Sequence, residues 1–443
     1  MKFTEKISMF GLGKLGSTML ACFAQKKWDV IGVDIDELNI QKINNGISPI
    51  FEPGVDLLIK NNQENITATL DCNYAIQNSL ISFVVVPTPS LKQGNFSLEH
   101  IKSVIENIGE ALKLKKSYHL VVITSTVLPG DMEKVINLLE EKSGKECNKD
   151  FSVCYNPDFI ALGSIINDFL NPDMILIGES DDKGGLLLES VHKKLTQNSP
   201  NIHRMNLHNA ELTKIALNSF CTLKITFANV LAEICENLPG GDVDIVTNAI
   251  GDDKRVGEKY IKGGLSYGGP CFPRDNRAFA YSAEKYGVTN ILSHRTDEIN
   301  NYHKNKRIPL KIEKILKSSN TNSLSILGLT YKKDTTIIEE SAPIHIIRNL
   351  LKKGIRMKIY DPEGNKAAKE EFKNLEKIEF KNTAIECIRD TRVCFIGTPW
   401  DEFKKLTEKD FSDNMDNPII FDAWGLYTFT DKSIQYIKIG KAS

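Results

Sequence analysis

Three glycines near the amino terminus constrain this chain most. Gly11, Gly13 and Gly16 follow the apolar stretch Ile7 to Phe10 and precede a segment with helical spacing, which writes Gly-x-Gly-x-x-Gly across a strand-to-helix turn. The first glycine permits the tight turn, the second lets backbone approach a pyrophosphate, and the third lets helix pack on strand. The helix amino terminus then attracts the phosphates. Asp34 closes the next strand, Val30 to Val33, at the separation of about 20 residues where a carboxylate accepts hydrogen bonds from ribose hydroxyls. The alternative is a plain glycine turn beside an ordinary strand-end aspartate. Strand, turn and spacing together favour a dinucleotide, and the aspartate favours NAD over NADP. Gly11, Leu12, Gly13, Lys14, Leu15, Gly16 and Asp34 are its expected binding residues.

The pattern that opens the chain continues to about residue 200. Short β-branched runs alternate with amphipathic stretches, in IGVD at 31–34, ISFVVV at 81–86, LVVITS at 120–125 and MILIG at 174–178, as βαβ units with a parallel sheet require. From about Asn206 to Leu238 runs one long helical pattern, free of Pro and Gly between His208 and Leu238 and stopped by Pro239-Gly240-Gly241. The passage GGLSYGGPCFPRD, Gly263 to Asp275, interrupts the helical middle section and is expected to be irregular backbone. After about Asn305 the alternation returns, in SLSILGL at 323–329, RMKIYD at 356–361, VCFIG at 393–397 and IIFDAW at 419–424. A chain of 443 residues accommodates about three domains. They are expected at 1–200 (NAD-binding, Rossmann-like), 201–305 (central, helical) and 306–443 (a second Rossmann-like domain). The fold class is α/β, two doubly wound Rossmann-like domains joined by a long central helix.

Composition removes several function classes. Apolar residues at 41% and charged residues at 26% are globular proportions, not those of a disordered or fibrous chain. Lys plus Arg (56) nearly cancels Asp plus Glu (57), so no global field draws the protein to nucleic acid or an anionic bilayer. No run approaches the roughly 18 apolar residues of a membrane span, and no export signal is expected at the amino terminus. Nine cysteines, at 22, 72, 147, 154, 221, 235, 271, 387 and 394, lack any Cys-x-x-Cys pair. That argues against a disulfide framework or a zinc cage and for a reducing cytoplasm. The eight histidines show no metalloenzyme spacing, and no metal is expected.

Two constellations carry chemistry. Cys271 sits in Tyr-Gly-Gly-Pro-Cys-Phe-Pro-Arg-Asp, with Arg274 and Asp275 close behind. Two glycines and two prolines impose a special backbone path, and a cation beside a thiol favours the thiolate, so Cys271 is a candidate nucleophile. Cys22, Cys221, Cys235 and Cys394 lie in apolar patterns and read as small buried hydrophobes. Lys214 and Asn218 are spaced i, i+4 and share a helix face. A cation beside an amide donor is the equipment of an oxyanion site, although spacing alone equally describes a solvated lysine.

Together these residues resemble the UDP-glucose/GDP-mannose dehydrogenase family of NAD-dependent nucleotide-sugar 6-dehydrogenases. The resemblance covers nearly the whole chain: GLGKLG at 11–16, SPIFEPG at 48–54, VPTP at 86–89, STV at 125–127, NPDF at 156–159, the Lys214 and Asn218 helix, GGPCFPRD at 268–275, and GLTYKKDT with ESAP in the last third. It implies two successive oxidations of a hexose primary alcohol to a carboxylate with two NAD reduced. Lys214 and Asn218 would hold the alkoxide and later oxyanions, and an ordered water near Thr126 and Asp275 would move protons. Cys271 would capture the aldehyde as a thiohemiacetal that becomes a thioester, and Asp158 would serve its hydrolysis. Pro87, Thr88, Ser125, Thr126 and Arg274 would join the cofactor site. Phe159, Leu162, Gly268, Arg255, Lys262, Tyr331 and Lys332 would bind the substrate beside Lys214 and Asn218, the last domain holding the nucleotide sugar. The resemblance further implies a homodimer or larger assembly built through the central helix, with Arg255 reaching a partner's site.

Four positions depart from the family pattern. Asp158 stands for a glutamate, Leu162 for a second glutamate, Glu339 for a cofactor-contacting arginine, and Trp424 for a substrate-binding arginine. UDP-glucose is the leading substrate, with UDP-N-acetylhexosamines and GDP-mannose as alternatives. Two rival readings are a β-hydroxyacid-type dehydrogenase, which removes one hydride pair and needs no cysteine, and a catalytically silent protein that binds NAD or a nucleotide sugar.

Overall fold

The structure, a computed structural model, describes residues 6–161 and 163–442. The chain forms two compact units, Met1–Ile215 and Ala216–Ser443.

The first unit is built on eight strands: β1 (Ile7–Phe10), β2 (Val30–Val33), β3 (Ile66–Thr69), β4 (Ile81–Val84), β5 (His119–Ile123), β6 (Phe151–Tyr155), β7 (Met174–Glu179) and β8 (Asn201–Asn206). Their spatial order is β3-β2-β1-β4-β5-β6-β7-β8. The first six are mutually parallel in the doubly wound order, with Ile7 of β1 paired to Val30 on one side and Ile81 on the other. The expectation of a parallel sheet needs one amendment. β6 pairs antiparallel with β7, so β7 and β8 run against the other six strands while parallel to each other. Burial on both faces explains why β1, β2, β4, β5 and β6 read as continuous apolar runs. One core cluster gathers Met9, Phe23, Phe83 and Ile177, the other Phe10, Ile105, Val121 and Tyr155.

The second unit repeats the plan with β9 (Ser323–Leu327), β10 (Arg356–Tyr360), β11 (Ile378–Phe380), β12 (Val393–Ile396), β13 (Ile419–Asp422) and β14 (Gln435–Lys438). All pairings are parallel and the order is β11-β10-β9-β12-β13-β14, the same winding without the reversed pair. Each sheet therefore has a topological switch point, between β1 and β4 and between β9 and β12, where doubly wound sheets place ligands at the carboxyl ends of the strands.

The glycine turn leads at once into helix α1 (Lys14–Gln25). A 31-residue helix, α2 (Leu207–Asn237), begins in the first unit and ends in the second. It is long and apolar enough to cross a membrane by length and composition, which the search for apolar runs did not register, and half of its most apolar window is buried in the protein. Of its buried polar side chains, Glu211, Asn218 and Asn229 are hydrogen-bonded, while Thr226 Oγ1 has no partner among the described residues. In the glycine-rich passage only Gly263 to Cys271 is irregular; helix α3 (Phe272–Lys285) starts immediately after the cysteine, with Pro273 in its first turn. Cys22, Cys221, Cys235 and Cys394 are buried, and Cys271 is exposed.

Candidate active site

The first switch point is a cradle that only glycine could line. Gly11 has φ +96, and a Cβ there would lie 2.3 Å from the Val85 carbonyl oxygen; a Cβ on Gly16 would lie 1.9 Å from the carbonyl oxygen of Gly11. Gly13 has open space around it and is the position where backbone faces outward. The Leu12 amide donates to Asp34 Oδ2 at 2.6 Å and the Asp36 amide to Oδ1 at 2.8 Å. A carboxylate has about four lone-pair positions, so each Asp34 oxygen keeps acceptor capacity for a hydroxyl. Ile35, next in sequence, is 95% exposed. Across the cradle, Ser125 Oγ accepts from the Val86 amide and donates to the Val86 carbonyl, and Thr88 Oγ1 donates to the Thr126 carbonyl at 2.9 Å. These bonds draw Pro87, Thr88, Ser125 and Thr126 together where the chain leaves β4 and β5. The residues fit a dinucleotide: glycine backbone for its pyrophosphate, Asp34 for a ribose.

The first unit also holds a buried carboxyl group with a raised pKa. Asp158 follows β6, and its Oδ2 is buried without a hydrogen-bond partner among the described residues. Burial pushes its pKa up to about 7, against the pull of the Lys214 charge. Lys214 Nζ donates to the Asp158 backbone carbonyl and stands 4.5 Å from the centre of the Phe159 ring. Neighbouring loops hold this segment in place. The buried Glu52 accepts from the amides of Gly163 and Ile165, and the fully buried Glu211 on α2 accepts from those of Gly130 and Met132. Leu162 lies outside the described residues.

In the second unit, Cys271 occupies the N-cap position of α3. One turn on, the fully buried Asp275 accepts from Asn218 Nδ2 at 2.6 Å and from Arg274 Nε at 3.0 Å. Asn218, Arg274 and Asp275 thus converge beside an exposed thiol. The preceding loop is secured by buried amides: Asn229 accepts from the Gly264 amide and donates to the Leu265 carbonyl, while Asn300 donates to the Tyr267 carbonyl. Irregular backbone needs such partners once it leaves helix and sheet.

Three domain models of the UDP-glucose/GDP-mannose dehydrogenase family match this chain: the NAD binding domain at residues 5–196, the central domain at 208–302 and the UDP binding domain at 325–429. The chain belongs to this family. It is 32% identical over 427 residues to the UDP-glucose 6-dehydrogenase of Haloferax volcanii, covering 96% of this chain and 97% of that protein. It is 35% identical over 361 residues to the GDP-mannose 6-dehydrogenase of Pseudomonas aeruginosa, covering 80% and 81%. The structure superposes on a UDP-glucose dehydrogenase from the hyperthermophilic archaeon Pyrobaculum islandicum with a TM-score of 0.88 at 26% identity, covering 100% and 99% of the two chains. This family member is accordingly an NAD-dependent nucleotide-sugar 6-dehydrogenase, with the two Rossmann-like domains and long central helix of that structure.

The remaining sequence-derived candidates of this dehydrogenase fall in distinct surroundings. Lys14 and Leu15 are half-buried in the first turn of α1. The Tyr331 ring lies against Gly269, where a Cβ would come within 2.5 Å of it, and Lys332 Nζ is 6.0 Å from that ring's centre. Gly268 is packed against the Glu340 carbonyl. Lys262 is exposed. The Arg255 side chain is 89% exposed and pairs with Asp253 at 2.6 Å. Trp424 donates from Nε1 to the Gly397 carbonyl at the end of β12 and lies beside Gly264, while Glu339 is exposed. The sequence reading passed over Glu52, Glu211, Asn229 and Asn300. The only available signal was an acid or amide inside an otherwise apolar segment.

Proposed function

We propose that the enzyme oxidises the hexose primary alcohol of a nucleotide sugar to the uronic acid, with UDP-glucose as the leading substrate and UDP-N-acetylhexosamines and GDP-mannose as the alternatives. The observation that carries the four-electron reading is the exposed Cys271 at the head of α3 beside the buried Asn218–Asp275 pair. A two-electron enzyme has no use for that thiol. The buried Asp158, whose carboxyl burial pushes up to about 7, supports a reacting enzyme over a silent binding protein.

NAD, held by Gly11, Leu12, Gly13, Lys14, Leu15, Gly16, Asp34, Pro87, Thr88, Ser125, Thr126 and Arg274, supplies the hydride acceptor for each oxidation. Lys214 and Asn218 donate to the substrate oxygen and stabilise negative charge as it develops. The Cys271 thiolate adds to the aldehyde carbon, forming a C–S bond and a tetrahedral alkoxide. Loss of a second hydride leaves a thioester. Water, giving its proton to the Asp158 carboxylate, adds to the thioester carbon; the C–S bond breaks, the acid leaves and the thiolate is restored. Thr126 and Asp275 hold the water that relays the alcohol proton. Phe159, Leu162, Gly268, Tyr331 and Lys332 bind the sugar nucleotide, with Lys262 on its diphosphate. The working division of labour is residues 1–200 for NAD, 201–305 for Lys, Asn and Cys, and 306–443 for the nucleotide sugar.

The assembly is a homodimer or larger homo-oligomer through α2. Phe220, Phe227 and Ile234 recur every seven residues along one helix face and are 62%, 50% and 53% exposed, the spacing of a helix seam. Arg255, exposed and paired with Asp253 within its own copy, then serves a partner copy's site. A reducing cytoplasm suits the scattered cysteines. The test of substrate is a panel of UDP- and GDP-sugars with NAD, read by NADH absorbance. Highest kcat/KM with UDP-glucose supports the reading, preference for an N-acetylhexosamine or GDP-mannose replaces the sugar or base, and no turnover across the panel overturns it.

A further inference from the structure

One charged cluster outside the catalytic set stands against the cysteine loop. Glu340 follows the loop after β9 and carries φ 50, a left-handed conformation that costs energy for a residue other than glycine. Its carboxylate is met from three elements. Lys304, whose side chain is fully buried, reaches Oε2 at 2.6 Å; Arg277 on α3 reaches Oε1 at 3.1 Å; and His345, on helix α4 (Ala342–Lys352), stands 3.4 Å from Oε2. Lys304 lies on a π-helical turn, His303–Arg307, a local irregularity frequent at functional positions. The His345 hydrogen bond and the Lys304 charge hold the Glu340 carboxyl far below the usual carboxylate range despite burial, so Glu340 stays a carboxylate.

The backbone of this residue touches the nucleophile's loop. The Gly269 amide donates to the Glu339 carbonyl at 3.1 Å. A Cβ on Gly268 would lie 2.4 Å from the Glu340 carbonyl oxygen, and one on Gly269 would strike the Tyr331 ring. Gly268 and Gly269 precede Cys271 by three and two residues, and Arg277 lies six residues beyond it. Residues 339 and 340 therefore meet the segment around Cys271 on both sides: before the cysteine the Glu339 carbonyl accepts from Gly269 and the Glu340 carbonyl packs on Gly268, and after it the Glu340 carboxylate pairs with Arg277. Tyr331 and Lys332 belong to the same loop as Glu340.

We propose that Glu340 is a positioning residue, anchored by the buried Lys304, which couples the loop of Tyr331 and Lys332 to the placement of the Cys271 thiol. The coupling to substrate rests on the function proposed above; the placement of the thiol does not. It predicts that breaking the ion pair impairs the thiol-dependent half of the reaction selectively.

The test uses the full-length enzyme and the double variant Lys304→Met/Glu340→Gln, which removes both charges and leaves no buried ion unpaired, with Lys304→Arg as the conservative control. The rate of Cys271 alkylation by iodoacetamide is followed by peptide mass spectrometry with and without UDP. In parallel, oxidation of the aldehyde form of the substrate is compared with oxidation of the alcohol. Expected are an alkylation rate changed at least tenfold in the double variant, loss of the response to UDP, and aldehyde oxidation slowed at least tenfold while the first oxidation stays within threefold. Lys304→Arg should restore all three. Wild-type alkylation in a folded double variant overturns the proposal, as does an equal loss of both oxidations, which marks a merely structural role. If the wild type turns over no nucleotide sugar, the alkylation arm alone decides and the functional reading fails separately.

Discussion

The two sheets share a winding order and a device, yet use the device for opposite ends. In each, a glycine with φ near +95 ends the first strand, and an aspartate after the neighbouring strand accepts from the amide that follows the glycine: Gly11, Leu12 and Asp34 in one, Gly328, Leu329 and Asp361 in the other, both bonds at 2.6 Å. Asp34 accepts two amides and is partly exposed. Asp361 is fully buried and accepts six donors, from Leu329, Thr330 (amide and hydroxyl), Glu363, Gly364 and the Trp400 indole. The first carboxylate has capacity left for a ligand; the second has none. The chain after the glycine differs to match. Gly11 runs within three residues into α1, whereas Gly328 opens a loop that reaches α4 only at Ala342 and carries Tyr331, Lys332 and Glu340. The same topology thus gives a dinucleotide cradle in one copy and a fixed base for a long loop in the other.

That contrast predicts opposite phenotypes for matched substitutions. Asp361→Ala strands buried amides and should cost about 3–5 kcal/mol of stability by chemical denaturation, with NAD affinity in the surviving folded protein unchanged. Asp34→Ala should leave stability within about 0.5 kcal/mol and weaken NAD at least tenfold, about 1.4 kcal/mol, by calorimetric titration. Equal effects of the two on NAD would break the comparison. The glycines sharpen it: Gly11→Ala and Gly328→Ala should each destabilise by more than about 1 kcal/mol, since both φ values are positive and a Cβ meets backbone at 2.3 Å in each. Only Gly11→Ala should also abolish NAD binding.

Asp158 extends the contrast between spare and filled acceptors. Its buried Oδ2 has no partner among the described residues, whereas Asp275 and Asp361 are bonded. With its pKa raised from 3.8 to about 7, the folded chain holds this proton more tightly than the unfolded chain. Its contribution to stability therefore falls as pH rises from about 4 to about 7. As a base it works only when deprotonated, so acid formation should rise with pH through about 7. Asp158→Asn should lower and flatten that profile; an unchanged pH–rate curve would remove Asp158 from the hydrolytic step. The smallest effect belongs to Trp400→Phe, which deletes one of six donors to Asp361 and should cost about 1 kcal/mol in thermal unfolding, with no change in NAD affinity.

Much of this was legible in the sequence because it is local. Glycine spacing, strand-end Asp34, the apolar runs of β4 and β5, and the unbroken helical pattern of α2 each report on a few neighbouring residues. What stayed hidden depends on distant partners. β3, β8 and β14 are short or half-polar and become strands through pairing at sheet edges. The reversal at β7 follows from register, which MILIG does not encode. The likeness of Asp361 to Asp34 was masked by the long loop after Gly328. Asn229 and Asn300 serve carbonyls and amides more than 30 residues away. The apolar character of α2, broken by Glu211, Lys214 and Asn218, escaped a search for continuous runs.

A four-electron oxidation completed on Cys271 is tested by counting NADH formed per nucleotide sugar consumed, in the wild type and in Cys271→Ala. Two NADH per sugar with uronic acid as product are expected, and no acid from the alanine variant. One NADH per sugar in the wild type, or acid made at the normal rate by Cys271→Ala, would contradict it.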